Sequence, residues 1–261
     1  MFQTAVLASG SKGNCFVIQT ESTKLLLDAG LSGKKILQAL EKIGIDKTGF
    51  NALLISHDHH DHISGAGIIC RMLNIPLYIN ESAFLMKRKH LGKLPFKARF
   101  FYNEDKFEIG DIRINPFSSS HDSLESSNFI FRKKGLKNKK LAVATDLGFS
   151  TRLTIKKLMN SSTIILESNH DEKMLIEGPY PWHLKQRVKG KQGHLSNEQA
   201  VGVISRIIHP GLKNLILAHL SEINNTPEIA CSLMEEYLKM VNHDLNLVVS
   251  NQYEPTKLVN I

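Results

Sequence analysis

Residues 57–62 read His57-Asp58-His59-His60-Asp61-His62, which places four imidazoles and two carboxylates in one hexapeptide. The apolar run from Ala52 to Ser56 precedes it and is predicted to be a buried strand. If strand geometry persists, the first and third residues share a face, whereas the last two turn into a following helix. Imidazole and carboxylate are donors that zinc and manganese accept. The hexapeptide therefore predicts a loop that can serve two metal ions, and a polar surface loop is the structural alternative.

Three further candidate ligands each stand where a predicted strand gives way to a loop. His121 follows the strand-like run that begins at Ile112, Asp146 follows Leu141 to Thr145, and His219 follows Leu215 to Ala218. Taken alone, each of these residues would be an ordinary polar residue at a strand end. Together with the hexapeptide they give the order His-x-His-x-Asp-His, then His, Asp and His.

The pattern of short β-rich runs and helical stretches predicts a layered α/β fold. Runs at Phe2 to Leu7, Cys15 to Gln19 and Lys24 to Asp28 are separated by turn residues and predict a β-meander. Helical spacing begins at Ser32 and closes at Gly44. Later strands are predicted at 107–109, 112–116, 128–131, 141–145, 163–166 and 215–218, with helices at 196–208 and 227–240. Two β-rich blocks, each followed by helices, predict a four-layer αββα sandwich.

Length and composition bound the remaining possibilities. A chain of 261 residues with 42% hydrophobic and 22% charged residues is typical of one large globular domain, here residues 1–261. No apolar run is long enough to cross a membrane, and the start carries no signal-peptide pattern. The three cysteines are far apart in sequence, which argues against a disulfide framework. We therefore expect a cytoplasmic protein without a membrane partner.

The balance of charge favours a polyanionic partner. Lys and Arg number 33 against 25 acidic residues, a formal net charge of +8. Basic residues cluster at 87–89, 132–140 and 185–191. A solvated surface explains any one cluster, but three clusters in one domain favour nucleic acid.

The order of candidate ligands resembles that of the metallo-β-lactamase superfamily, and the resemblance spans almost the whole chain. It implies the αββα sandwich and a centre of two divalent metal ions, zinc or manganese. The implied ligands are His57, His59 and His121 for one ion, Asp61, His62 and His219 for the second, and Asp146 as a bridge. Asp28 matches an aspartate that orients a ligand imidazole, with a turn or helix N-cap as the alternative. Asp58 and His60 fill variable positions and stay outside the ligand set.

Several separated motifs resemble the small bacterial exonucleases of the WalJ/YycJ-like branch of that superfamily. They are the segments 7–15, 167–171 and 193–196. The interval from Asp146 to His219 is too short for the β-CASP domain of larger relatives, so we expect no such insertion. The resemblance implies a DNA exonuclease acting in the 5′ to 3′ direction. An RNA or cyclic-nucleotide phosphodiesterase is the alternative enzyme, and a nucleic-acid-binding protein with a structural metal site is the alternative class.

Two residues outside the ligand set are candidates for proton transfer. His194 and Glu167 match a histidine and glutamate that accompany each other in the similar tRNA 3′-end endonucleases, and such a pair forms a usable proton relay. Ordinary roles at a helix start and a strand end are the alternatives. The predicted catalytic residues are Asp61, His194 and Glu167. Asp61 is also a predicted metal ligand, His194 is the predicted general acid, and Glu167 is the predicted partner of His194.

Substrate contacts are predicted from two segments. The loop that begins at Ser9 is rich in small residues, so its backbone N–H groups are candidates to approach a phosphate, although a plain hairpin turn fits equally. Lys185 and Arg187 are expected to guide a nucleic-acid backbone by counterion release, without base preference.

Overall fold

The computed structural model describes all residues from Met1 to Ile261 and contains fourteen strands and nine helices. The strands are β1 (Phe2–Ala8), β2 (Cys15–Thr20), β3 (Lys24–Leu27), β4 (Ala52–Leu54), β5 (Leu77–Ile79), β6 (Arg99–Phe100), β7 (Phe107–Ile109), β8 (Ile112–Ser118), β9 (Ser127–Lys133), β10 (Leu141–Ala144), β11 (Thr163–Glu167), β12 (Asn214–Ala218), β13 (Asn246–Val249) and β14 (Val259–Asn260). The helices are α1 (Gly33–Lys42), α2 (His60–Ile63), α3 (Ala66–Leu73), α4 (Glu81–Leu91), α5 (Arg152–Leu158), α6 (Glu172–Glu177), α7 (Trp182–Lys189), α8 (Asn197–Ile207) and α9 (Pro227–Met240).

The strands form two seven-stranded sheets. One has the order β14-β1-β2-β3-β4-β5-β6 and the other the order β13-β12-β11-β10-β9-β8-β7. Strands β1 to β3 are antiparallel, as the predicted meander requires, and β3 to β6 are parallel. In the second sheet, β10 to β13 are parallel, whereas β7 to β10 alternate in direction. The carboxyl ends of β3, β4, β8, β10, β11 and β12 consequently open toward one edge of the sandwich.

Alternating side chains divide the core into three layers. In β2, Phe16 and Ile18 lie in a cluster between the two sheets, whereas Cys15 and Val17 face the opposite way. That outward face packs against α1, α3 and α4, and the outward face of the second sheet packs against α5, α8 and α9. The predicted four-layer αββα sandwich is therefore confirmed. No helix combines the length and apolar character needed to cross a bilayer.

Local signals fixed some element boundaries better than others. The helix predicted from Ser32 is present as α1, and the hydroxyl of Ser32 caps it. The helices predicted at 196–208 and 227–240 are present as α8 and α9. The strand predicted to run to Ser56 ends at Leu54, because Ser56 turns to bond Asp28. The residues at 57 and 59 therefore lie in a loop, and the alternation of a strand is not what brings them together.

Candidate metal centre

The site forms at the edge where the strand ends meet. Asp28 follows β3, His121 follows the end of β8, Asp146 follows β10 and His219 follows β12. Asp28, Asp146 and His219 have φ angles of 60°, 57° and 58°, in the left-handed region that non-glycine residues adopt infrequently. Such backbone conformations cost energy and concentrate at functional sites. Here the three residues with this conformation each follow the end of a strand, and their side chains are buried.

The hexapeptide is held in place by backbone hydrogen bonds to the neighbouring loops. The N–H of Asn14 donates to the carbonyl of Asp61 at 2.7 Å, and the N–H of Ala29 donates to the carbonyl of His62 at 2.8 Å. A Cβ atom on Gly30 would lie 1.7 Å from the carbonyl oxygen of Asp61. Only glycine allows the two segments to approach this closely.

The candidate ligands form two trios of donor atoms. One donor atom from each of His57, His59 and His121 lies within 4.8 Å of the others, and the same holds for Asp61, His62 and His219. In the first trio, Nδ1 of His59 is 3.1 Å from Nε2 of His121. In the second, Oδ2 of Asp61 is 3.5 Å from Nε2 of His62 and of His219. These trios have the same membership as the two ligand sets that the resemblance implies.

Asp146 lies between the trios. Its Oδ2 is 3.3 Å from Nε2 of His62, and its Oδ1 is 3.4 Å from Nε2 of His219 and 3.7 Å from Nε2 of His121. Burial alone would raise the pKa of this carboxyl, but the surrounding imidazoles lower its pKa well below the usual range. The side chain is therefore an ionised carboxylate that faces both trios.

Hydrogen bonds select which ring nitrogen each histidine presents. Nδ1 of His62 bonds Asp28 Oδ2 at 2.7 Å, Nδ1 of His121 bonds the Gly193 carbonyl at 3.2 Å, and Nδ1 of His219 lies 3.2 Å from Glu167 Oε1. Partners on one ring nitrogen fix the tautomer and leave the other nitrogen as an acceptor for a metal ion. His59 is the exception, since its Nδ1 faces the trio.

Metal ions fit this donor set on two grounds. Nε2 of His57, Nε2 of His219 and Oδ2 of Asp146 are buried without a hydrogen-bond partner, which is costly unless another group satisfies them. Three carboxylates, those of Asp146, Asp61 and Glu167, raise the pKa of His219 to about 10 even though burial acts in the opposite direction. A site with excess negative charge and unpaired nitrogen and oxygen donors is stabilised by binding cations.

His194 and Glu167 form a pair beside the donors. Nδ1 of His194 bonds Oε1 of Glu167 at 2.7 Å, so its Nε2 remains free at the cleft. The ring stacks on that of His219 with centroids 5.1 Å apart. Oε2 of Glu167 accepts from the N–H groups of Leu147 and Leu195. Burial would raise the pKa of Glu167, but His194 and His219 outweigh it and lower the pKa to about 2. Glu167 is thus a fixed, ionised partner for two imidazoles.

The predicted substrate-binding residues are placed differently from expectation. Ser9 is buried, and its hydroxyl accepts from the N–H of His219, so it positions a candidate ligand and does not face the cleft. The N–H groups of residues 9, 10, 12, 13 and 14 donate within the protein, which leaves the N–H of Ser11, a residue that lines the cleft, as the one group of that loop available to a phosphate. Lys185 donates to the carbonyl of Ile176 and has no acidic partner, whereas Arg187 is paired with Asp122.

Sequence reasoning missed three polar residues that contact the candidate ligands. Nδ2 of Asn14 lies 3.0 Å from Nε2 of His62, and Nδ2 of Asn169 donates to the backbone carbonyl of His219. Oδ1 of Asp122 lies 3.4 Å from Nε2 of His121. Asn14 and Asn169 belong to motifs singled out from the sequence, whereas the only signal for Asp122 was its position next to a candidate ligand.

Asp28 provides a test of how these outer partners act. Besides His62 it accepts from the N–H and hydroxyl of Ser56. We expect Asp28→Asn to keep the size of the side chain but lose its negative charge and one of its two acceptor oxygens, weakening metal binding about 10- to 100-fold. Asp58→Asn is the matched control, because Asp58 bonds Ser123 and no histidine. Equal affinities in both variants, measured by chelator competition, would contradict this role.

Comparison with known proteins agrees with this geometry. Residues 8–155 match the family model described as the metallo-beta-lactamase superfamily. The chain is 37% identical over 244 residues to exodeoxyribonuclease WalJ of Streptococcus pneumoniae serotype 2 (strain D39 / NCTC 7466), covering 92% of this chain and 87% of that protein. It is 35% identical over 236 residues to exodeoxyribonuclease YycJ of Bacillus anthracis, covering 90% and 88%.

A solved structure shows the same fold at lower sequence identity. The metallo-beta-lactamase fold protein YhfI from Bacillus subtilis superposes with a TM-score of 0.71 at 16% identity, covering 98% of this chain and 100% of the other. The fold alone indicates a superfamily, whereas the family match and the two relatives of 35–37% identity indicate a branch within it. The chain therefore belongs to the metallo-β-lactamase superfamily, in the branch that contains the WalJ and YycJ proteins.

Proposed function

We propose that this chain is a metal-dependent DNA exonuclease, acting in the 5′ to 3′ direction, with two divalent ions held by the two trios and Asp146. The observation that carries the proposal is the free Nε2 of His194, which opens to the cleft beside the donor cluster while Glu167 holds the other ring nitrogen. A general acid held next to a metal-binding cluster can protonate the leaving oxygen when a phosphodiester bond is cleaved. The relatives named exodeoxyribonucleases favour DNA as its substrate.

The chain's own residues divide the chemistry between them. When bound, divalent ions lower the pKa of water and neutralise charge on phosphate oxygens. His194 then donates a proton from Nε2 to the departing ester oxygen, which would otherwise leave as an alkoxide. Glu167 keeps the ring oriented, because its carboxylate accepts from Nδ1. Asp61 contributes its carboxylate to the second trio.

The shape of the cleft favours a strand over a small cyclic substrate. The cleft has a volume of about 150 Å³ and is lined by residues that include Asn169, Tyr180, Leu184 and His194. Asp122 and Arg187, which line this cleft, also line an adjoining open groove of about 580 Å³. An extended strand that lies along both fits this open shape better than a cyclic nucleotide, which binds in an enclosed pocket.

The experiment is an assay on DNA strands labelled at either end, run after chelation and after return of manganese or zinc. We expect mononucleotides to be released progressively from the 5′ end, with activity lost on chelation and restored by metal. Matched RNA strands and cyclic nucleotides are run alongside. Faster cleavage of either of these, or release from the 3′ end, would contradict the proposed substrate or direction.

Binding of a nucleic-acid strand is expected to depend on the basic segment 185–191 beside the cleft. Changing Lys185 and Lys191 to glutamine should flatten the slope of log affinity against log salt by about 0.9 per charge for duplex and about 0.7 for single strands. The control pair is Lys137→Gln with Lys139→Gln, since these residues lie in the β9–β10 loop, at the ends of the strands far from Asp146. Equal slopes for both double variants would show that this segment does not track the phosphate backbone.

The cysteines support a cytoplasmic location, which we include in the proposal. Cys15 and Cys70 are buried free thiols, and Cys231 is also unpaired. Unpaired cysteines are typical of proteins that work in a reducing compartment.

A further inference from the structure

The carboxylate of Asp122 has one oxygen that nothing in the protein satisfies. Oδ1 is buried and has no hydrogen-bond partner. It lies 3.4 Å from Nε2 of His121, the nitrogen that faces the first trio. This separation is similar to those between the donor atoms of the trios themselves. The oxygen also lies 3.7 Å from Nε2 of His59, the ring nitrogen opposite the one that faces the trio. It therefore approaches the site formed by His57, His59 and His121 from the side of His121.

The other oxygen of Asp122 is fixed by Arg187. Nε of Arg187 donates to Oδ2 at 2.7 Å, and Nη2 lies 2.7 Å from the same oxygen in an ion pair. The backbone N–H of Asp122 also donates to the carbonyl of Gln192. A carboxylate that binds a metal through one oxygen commonly accepts a hydrogen bond on the other, and the planar guanidinium suits this task. The role of Arg187 expected from sequence, a free contact to phosphate, does not fit a group already engaged in this way.

We propose that Asp122 is a further ligand of the ion held by His57, His59 and His121, with Arg187 as its positioning residue. The inference rests on the proposed metal centre and deepens it. Carboxylate oxygens suit manganese, whereas imidazole suits zinc, so an added oxygen donor raises the affinity for Mn²⁺ relative to Zn²⁺ at this site. The trio with Asp122 therefore favours manganese more than the three histidines alone.

The test measures metal binding and not turnover. Mn²⁺ binding is followed by electron paramagnetic resonance of the free ion, and Zn²⁺ binding by chelator competition, on the full chain. The variants are Asp122→Asn and Arg187→Gln, with Asp58→Asn as the control. Arg187 is exposed on α7, a helix without buried side chains, so its replacement tests the inference without risk to folding.

We expect Asp122→Asn to weaken Mn²⁺ binding at one site about 10- to 100-fold, with a smaller loss for Zn²⁺. Arg187→Gln should give a smaller loss of the same kind, and Asp58→Asn should bind both metals as the unmodified chain does. Unchanged Mn²⁺ affinity in Asp122→Asn, or an equal loss in Asp58→Asn, would overturn the role of Asp122 alone. An unmodified chain that binds neither metal would overturn the metal centre as well.

Discussion

Asp146→Ala is expected to release bound metal and to reduce phosphodiester hydrolysis to the level of the metal-free protein. Both carboxylate oxygens face candidate ligands, with Oδ2 near His62 and Oδ1 near His219 and His121. Alanine removes both oxygens and leaves the imidazoles of the two trios without a shared anion. The loss of metal affinity should therefore exceed the roughly 10- to 100-fold that follows from removing an outer partner. Elemental analysis of the purified variant measures it.

His60→Ala is the matched control for that prediction. His60 belongs to the same hexapeptide but is exposed, and its nearest aromatic neighbour is His90 with ring centroids 6.1 Å apart. Its replacement removes neither Asp122 nor any of the seven ligands that make up the two trios and Asp146, so the metal content should match that of the unmodified chain. A loss as severe as that of Asp146→Ala would show that the ligands of the hexapeptide are assigned wrongly.

His194→Ala is expected to keep its metal while turnover on DNA falls by roughly 10²- to 10⁴-fold. One donor atom of His194 lies within 4.8 Å of donors from Asp146, Glu167 and His219, so proximity alone would also permit a ligand role. Its Nδ1, however, is bonded to Glu167 and lies 3.9 Å from Asp146, which favours the assignment to proton transfer. Measuring metal content and turnover on the same preparation separates the two roles.

Metal loss in His194→Ala would contradict its role as general acid. Glu167→Gln is a less clean test of proton transfer, because Glu167 also contacts Nδ1 of His219 at 3.2 Å and accepts from two backbone N–H groups. We expect that variant to lose both activity and some metal. The comparison that isolates proton transfer is therefore His194→Ala alone.

The fold and the candidate ligands could largely be predicted from the sequence, because both depend on patterns among residues that are near each other in the chain. Apolar runs mark the buried strands, and His121, Asp146 and His219 stand where those strands end. Parallel strand direction then carries these ends to one edge. The short strands β5, β6, β13 and β14 were missed. Their length of two to four residues is only part of the reason, because β4 and β7 have three residues each and were predicted.

Contacts between distant side chains were not accessible in the same way. Pairing of Arg187 with Asp122 joins residues that are far apart in the chain, and it converts an expected phosphate contact into a positioning residue. Ser9 was expected to contact the substrate, but its hydroxyl is buried and accepts a hydrogen bond from the N–H of His219. Charge and residue type predicted that these residues are polar and near the site, whereas their partners depend on tertiary packing.

The central claim is that this chain cleaves phosphodiester bonds with two metal ions held by its histidine and aspartate cluster. The most direct measurement titrates metal-free protein with Mn²⁺ while following hydrolysis of bis-para-nitrophenyl phosphate, which needs only the metal centre. We predict that activity rises with added metal and levels off at two ions per chain. Full activity without metal, or a plateau at one ion per chain, would contradict the account.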